Sequence, residues 1–140
     1  MSELSDEVVA FLSEGTRTGM IGYVAADGRP LVAPVWFLVE DDQIAFATGE
    51  TTAKGRALAR DPRVVFCVDD PHPPYSFVQI QGSAAISAGP EELLDICTRL
   101  GGRYMGRDRA QEYGQRNGVP GEIIVRIRPT KVIAAFNLAD

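Results

Sequence analysis

Apolar residues recur along this chain with two different periods. In "SDEVVAFLSEG" (5–15) they fall at Val8, Phe11 and Leu12, the stripe of a short helix, with Ser5 placed to cap it and Asp6 and Glu7 suited to the positive end of the helix dipole. "TGMIGYVAADGRPLVAPVWFLVE" (18–40) reads as two strands joined at Asp27-Gly28, a hairpin signal. "IAFAT" (44–48), "RVVFCVDD" (63–70), "YSFVQIQGSAAIS" (75–87) and "GEIIVRIRPTKVIAAF" (121–136) read as further strands, the last broken or bent at Pro129. "GPEELLDICTRLGGRYM" (89–105) is a helix, with Pro90 at its first position and Leu93, Ile96, Cys97 and Leu100 on one face. The polar stretch 107–118 is helical in part.

About six strands follow one another mainly through hairpins, which implies an antiparallel sheet. So many strands in a short chain favour a closed barrel, which leaves few open edges. The pattern therefore predicts a mainly β single domain over residues 1–140. The stretch "LVAPVWFLV" (31–39) does not alternate. Read as one strand, it needs cover on both faces, and the expected cover for the outer one is a second copy of the chain, a homodimer.

Composition narrows the function. The chain has 140 residues, 45% of them hydrophobic and 24% charged, as in a folded globular domain. No apolar run is long enough to cross a membrane, and the N-terminus lacks the basic-then-apolar order of a secretion signal, so a cytoplasmic protein is expected. A net charge of -5 argues against nucleic acid as a partner. His72 is the only histidine, which disfavours a Ser-His-Asp site or a His-rich metal centre. Cys67 and Cys97 read as free thiols. No catalytic acid–base pair, nucleophile or metal site is visible.

One helix start breaks the charge rule. After strand 44–48 comes "TGETTAKGRALARDP" (48–62), whose first turn carries Lys54 and Arg56 and no carboxylate. Thr51 and Thr52 offer hydroxyls and a cap, Lys54 and Arg56 charge-assisted donors, and Gly55 reduced bulk beside free backbone N–H groups. Together they suit an anion of the phosphate kind. The competing account is a solvated basic helix end neutralised by Glu50 and Asp61. Arg17, Arg60 and Arg63 extend the positive charge, enough to suit an anionic ligand longer than a single phosphate.

The order "DGRPxxxPVWF", "TGETTAKGRALARDPRVVF" and "YSFVQIQGSA" resembles the pyridoxamine-phosphate-oxidase-like split β-barrel flavoproteins, most closely the branch that uses the deazaflavin coenzyme F-420. The most specific part is Thr52, Lys54, Arg56, Leu58, Asp61, Pro62 and Val64. The resemblance implies a six-stranded antiparallel split barrel with the cofactor at a homodimer interface. It implies that Thr48, Thr51, Thr52, Lys54 and Arg56 hold the cofactor phosphate. Ala33, Pro34, Val35 and Trp36 would lie along the ring, and Tyr75, Ser76 and Phe77 would approach it, often from the second subunit. The activity implied is hydride transfer from reduced F-420 to an unsaturated organic acceptor such as an enone, quinone or tetrapyrrole. The alternatives are an FMN-binding oxidoreductase and a non-enzymatic flavin carrier. The chain departs from true pyridoxamine phosphate oxidases at its C-terminus, "RPTKVIAAFNLAD", which lacks their W-x-x-x-R-L-H-x-R segment, so that activity is not expected. Many relatives also have Asn where this chain has Ala57. Read without the resemblance, Trp36 and Phe37 suit plain core packing, Tyr75 either ring stacking or anchoring of its strand, Arg126 and Arg128 either an anionic ligand or, more simply, a solvated strand face, and Arg99, Arg103, Arg107 and Arg109 a helix surface.

Overall fold

A computed structural model describes residues 3–140. Helix α1 (Asp6–Ser13) leads into a hairpin of β1 (Gly19–Val24) and β2 (Pro30–Val35), followed by β3 (Leu38–Glu40) and β4 (Gln43–Gly49). Helix α2 (Ala53–Arg60) precedes the long hairpin of β5 (Arg63–Asp70) and β6 (Ser76–Ser87). Helix α3 (Pro90–Met105), a short 3-10 turn and α4 (Ala110–Asn117) then lead to β7 (Glu122–Ala135). The caps follow the sequence: Ser5 Oγ accepts from the Val8 N–H at 3.2 Å, and Pro90 opens α3.

The strands form one antiparallel sheet in the order β2-β1-β5-β6-β7-β4-β3. Laid flat, seven strands at the usual spacing would separate the two edges by about 29 Å. Yet Val35 ends one edge strand and Leu38 begins the other, and three residues reach at most about 11 Å. The sheet must therefore curl until its edges nearly meet, with Trp36 and Phe37 spanning the seam. This is the half-barrel of a split β-barrel. Its interior is filled by Ile21, Phe37, Ile44, Phe46, Phe66, Val78, Ile80, Val125 and Ile127, all buried, with α1 and the inner face of α2 closing over them. A second, smaller cluster lies under α3, where Leu93, Ile96, Cys97 and Leu100 pack on Ala45 and Ile124.

One expectation changes. The apolar stretch 31–39 is two strands, which gives seven strands instead of six. The break falls at Trp36-Phe37 because the chain must pass from one edge of the sheet to the other there. Within the chain, β2 has cover on one face. Leu31, Ala33 and Val35 turn inward, while Pro30, Val32 and Pro34 turn outward and are exposed, Val32 to 64%. The bend anticipated at Pro129 is present as a register shift: Gln81 pairs with Lys131 but Gly82 with Pro129, leaving Thr130 as an extra residue. Pairing of β7 with β4 stops at Ile127, so Pro129 interrupts no ladder on that side.

No helix among the described residues is long and apolar enough to cross a membrane.

Candidate functional site

The end of β4 and the start of α2 form one tight unit. Thr52 is the N-cap of α2: its Oγ1 accepts from the Gly55 N–H at 3.1 Å and donates to the Gly49 carbonyl at 2.7 Å. Thr48, buried at the end of β4, lies with its Oγ1 3.2 Å from Thr52 Oγ1. Because the Thr52 proton goes to Gly49, Thr48 is the donor of that pair. Both hydroxyls are thus spent on local structure, and the direct donors expected of Thr52 toward an anion are not available. Thr51 is exposed.

Gly55 also plays a different part from the one expected. A Cβ there would collide with the Gly49 carbonyl and lie 3.2 Å from the Glu50 carbonyl and from Thr52 Oγ1. It is glycine because α2 packs on the turn that precedes it. What faces outward is the rest of the first turn. By helix geometry the N–H groups of Ala53 and Lys54 have no intrahelical acceptor, whereas Arg56 N bonds Thr52 O at 3.0 Å.

Lys54 and Arg56 make no hydrogen bond or ion pair among the described residues. The account in which Asp61 neutralises them does not hold. Asp61 instead binds Arg63 at 2.7 Å, and the Arg63 side chain, then its backbone N–H, lower the Asp61 pKa to about 2. Two free amides, an ammonium and a guanidinium at the positive end of a helix suit a phosphate. Buried residues of α2 are Gly55, Ala57 and Leu58, so neither cation is part of its packed face.

The positive charge beyond this turn is smaller than the sequence implies. Arg17 donates to the Phe11 carbonyl at 2.9 Å and pairs with Glu14 at 3.2 Å and Asp70 at 3.5 Å. With Arg63 held by Asp61, Arg60 is what remains of the proposed run.

The other candidate residues stand elsewhere. Ala33 faces inward and Val35 is in the core, while Pro34 faces out. Trp36 stacks on Tyr104 of α3, with ring centroids 5.0 Å apart and planes 3° apart, and meets Tyr113 edge-on. Phe37 is fully buried. Tyr75 is 45% exposed at φ +65°, held by its N–H to the His72 carbonyl and by Leu138 N–H to its own carbonyl, each 2.8 Å. Ser76 Oγ accepts from the Asn137 N–H at 3.0 Å, and Phe77 is half-buried.

Register shows which groups one chain brings together. Pro34 pairs with Met20, Met20 with Cys67 and Cys67 with Gln79, so Pro34 shares a row with Gln79, two residues from Phe77. The turn that starts α2 is at the other end. Gly49 pairs with Glu122 at the start of β7, while Phe77 pairs with Ala135 at its finish. The turn before α2 and the Tyr75–Phe77 segment are therefore thirteen positions apart along β7 (122 to 135) and do not form one pocket through that strand.

Several arginines read as solvated turn out to be structural. Arg103 donates to the carbonyls of Gly15, Phe37 and Leu12 at 3.1, 2.6 and 2.8 Å, tying α3 to the seam. Arg126 pairs with Glu92 and reaches Glu40 at 3.5 Å, and Arg99 pairs with Glu40 at 2.8 Å. Nothing in the spacing of these residues marked them, because their partners come from distant elements.

Sequence reasoning also missed Glu122. Its Oε2 is buried without a hydrogen-bond partner among the described residues, and burial raises its pKa, partly opposed by Lys54.

The chain belongs to the pyridoxamine 5'-phosphate oxidase family, whose model matches residues 4–135. That family contains flavin-binding oxidoreductases. Among solved structures, the conserved hypothetical protein Rv2991 from Mycobacterium tuberculosis superposes with a TM-score of 0.83 at 26% identity, over 96% of this chain and 86% of that one. An F420 reductase superposes with a TM-score of 0.70 at 25% identity, over 88% of this chain and 94% of that one. General Stress Protein 26 from Bacillus anthracis shares the fold, with a TM-score of 0.70 at 19% identity over 91% of each chain. No curated protein matches the sequence.

Proposed function

We propose that this protein is a dimeric reductase that binds the deazaflavin coenzyme F-420 and reduces an unsaturated organic acceptor of the enone, quinone or tetrapyrrole kind. The observation that carries the reading is the first turn of α2, where Lys54 and Arg56 have no ion-pair partner among the described residues and stand beside two free backbone amides in a chain of net charge -5. The likeness to an F420 reductase supports the choice of cofactor.

In this reading, Lys54, Arg56 and the N–H groups of Ala53 and Lys54 hold the phosphate. The Thr48–Thr52–Gly49 bonds keep that turn rigid, so little ordering is left to be done on binding. When bound, the reduced deazaflavin supplies the hydride. The outward face of β2 and its neighbours carries Pro34, Val32, Met20, Val65 and Ile133, with Met20 and Ile133 each 39% exposed. Such an open apolar face suits a second copy of the chain. A partner would also let Tyr75, Ser76 and Phe77 of one subunit approach the phosphate turn of the other.

FMN in the same grip is the second reading. It is favoured by the pairing of Arg17 with Asp70 and Arg63 with Asp61, which leaves less free charge for a long anionic tail.

Equilibrium titration of the purified protein with each cofactor tests the choice. Tighter binding of F-420, with its reduced form consumed when enzyme and a quinone or enone are both present, is the expected result. Tight stoichiometric FMN binding without F-420 binding would overturn it in favour of FMN. F-420 binding with no turnover of such acceptors would leave a carrier.

A further inference from the structure

Glu122 opens β7 opposite Gly49, the residue from which the phosphate turn departs. Its Oε2 is the buried side-chain oxygen that has no hydrogen-bond partner among the described residues. Gly49 makes room for it: a Cβ there would lie 3.6 Å from that oxygen and 3.2 Å from Thr52 Cγ2. The charged and titratable groups around the carboxyl come from three elements. Lys54 of α2 is the cation that acts on it, Cys97 of α3 is a thiol whose own ionisation it disfavours, and Glu50 of the turn lines the same hollow of about 200 Å³. The carboxyl thus lies beside the turn that starts α2, with Lys54 as the cation that favours its ionised form.

We infer that Glu122 is the internal counter-charge of Lys54, and that it takes up a proton from solvent when a phosphate-bearing ligand engages Lys54 at the start of α2. This rests on the phosphate-site reading above. The physical reason is simple. A bound anion competes for the ammonium and adds negative charge nearby, and both effects disfavour an ionised carboxylate that is already poorly solvated. The proton balances as one carboxylate plus one solvent proton giving one carboxylic acid. Ligand affinity should therefore fall as pH rises through the Glu122 midpoint, because above it the carboxylate opposes the ligand. Glu122 here acts through its charge: it sets the pH range of binding without touching the reacting atoms.

The test is the pH titration of the Glu122 side-chain carboxyl by carbon NMR. It is run on the free wild-type protein, on Lys54→Ala, and on the wild type saturated with F-420 or with FMN. The expected midpoint lies above that of an ordinary glutamate in the free protein. It moves up by about half a unit or more in Lys54→Ala and again with either ligand. Glu122→Gln should bind the same ligand about threefold tighter or better at neutral pH and lose the pH dependence assigned to this group. Ligand binding that leaves the wild-type midpoint in place overturns the inference alone, with the phosphate site intact. Failure of both ligands to bind overturns the cofactor reading and this inference with it.

Discussion

Tyr104 lies flat against Trp36, ring centroids 5.0 Å apart, and its hydroxyl accepts from the Phe37 N–H at 3.1 Å while donating to the Arg17 carbonyl at 2.9 Å. One side chain of α3 thus fixes both residues of the two-residue seam. Burial raises the Tyr104 pKa, with the Phe37 N–H and then Arg103 opposing it. Tyr104→Phe keeps the stack and strands the Phe37 N–H. We expect a loss of about 1–3 kcal/mol in chemical unfolding, since a buried donor is left unmet. An unchanged midpoint would show that the seam is held by Arg103 instead.

The proposed phosphate grip is tested by Lys54→Ala combined with Arg56→Ala. Each charge-assisted contact is worth about 1.5–3 kcal/mol, so cofactor affinity should fall more than about tenfold. Circular dichroism should be unchanged, because neither side chain belongs to the buried face of α2. Calorimetric titration is the readout, and equal affinity would return both residues to solvent.

Gly55→Ala attacks the same site from within. The added methyl has no room against the Gly49 carbonyl, so α2 must shift away from its turn. We expect a cost of about 1–3 kcal/mol in stability, together with weaker cofactor binding. Thermal unfolding and titration on one sample check both. Normal stability would mean the turn yields more readily than its packing suggests.

Val32→Asp probes the outer sheet face. A charge at this exposed site leaves the isolated chain undisturbed but opposes apolar burial against a second copy. The wild type should sediment as a dimer at micromolar concentration and the variant as a folded monomer. A wild-type monomer that binds cofactor would remove the shared-site argument.

Acid should weaken the fold through a defined set of carboxylates. Asp61 is held near 2 by Arg63, Asp70 is lowered by the His72 side chain, its backbone N–H and Arg17, and Glu92 is lowered by Arg126 and Ser87. Each native value lies below the unfolded one, so the unfolded chain binds more protons between the two. The stabilisation is present above pH ~4 and is lost as pH falls toward ~2. These groups are well solvated, so the effect is small. Urea midpoints across that range should show it, and Asp61→Asn should flatten part of it.

Much of this was legible in the chain. The hairpin at Asp27-Gly28, the caps at Ser5 and Pro90 and the strand 63–70 depend on neighbours in sequence, which local chemistry specifies. The family motif around Thr52, Lys54 and Arg56 was legible for the same reason. The break at Trp36-Phe37 was not, because apolar residues that cross between two sheet edges look the same as an apolar strand. The ties made by Arg103 and Arg126, and the isolation of Glu122, arise between residues far apart in sequence, and no periodicity carries that information. Within the motif, the hydroxyl of Thr52 and the missing side chain of Gly55 both suggested ligand contact, and both serve the turn itself.

The two prolines of β2 have a bearing on how copies of this protein can meet. The Ala25 N–H donates to the Arg29 carbonyl at 2.9 Å, which sets the hairpin so that Leu31 and Ala33 point their amides at β1. Pro30, Val32 and Pro34 are the positions whose amides would point outward, along the free margin of the strand. Two of those three have no hydrogen to give. An incoming strand would find one donor where it needs three, so runaway edge-to-edge polymerisation is discouraged. The face of the same strand stays open and apolar. Association is thus steered away from extending the sheet and toward stacking upon it, a geometry that closes after two copies.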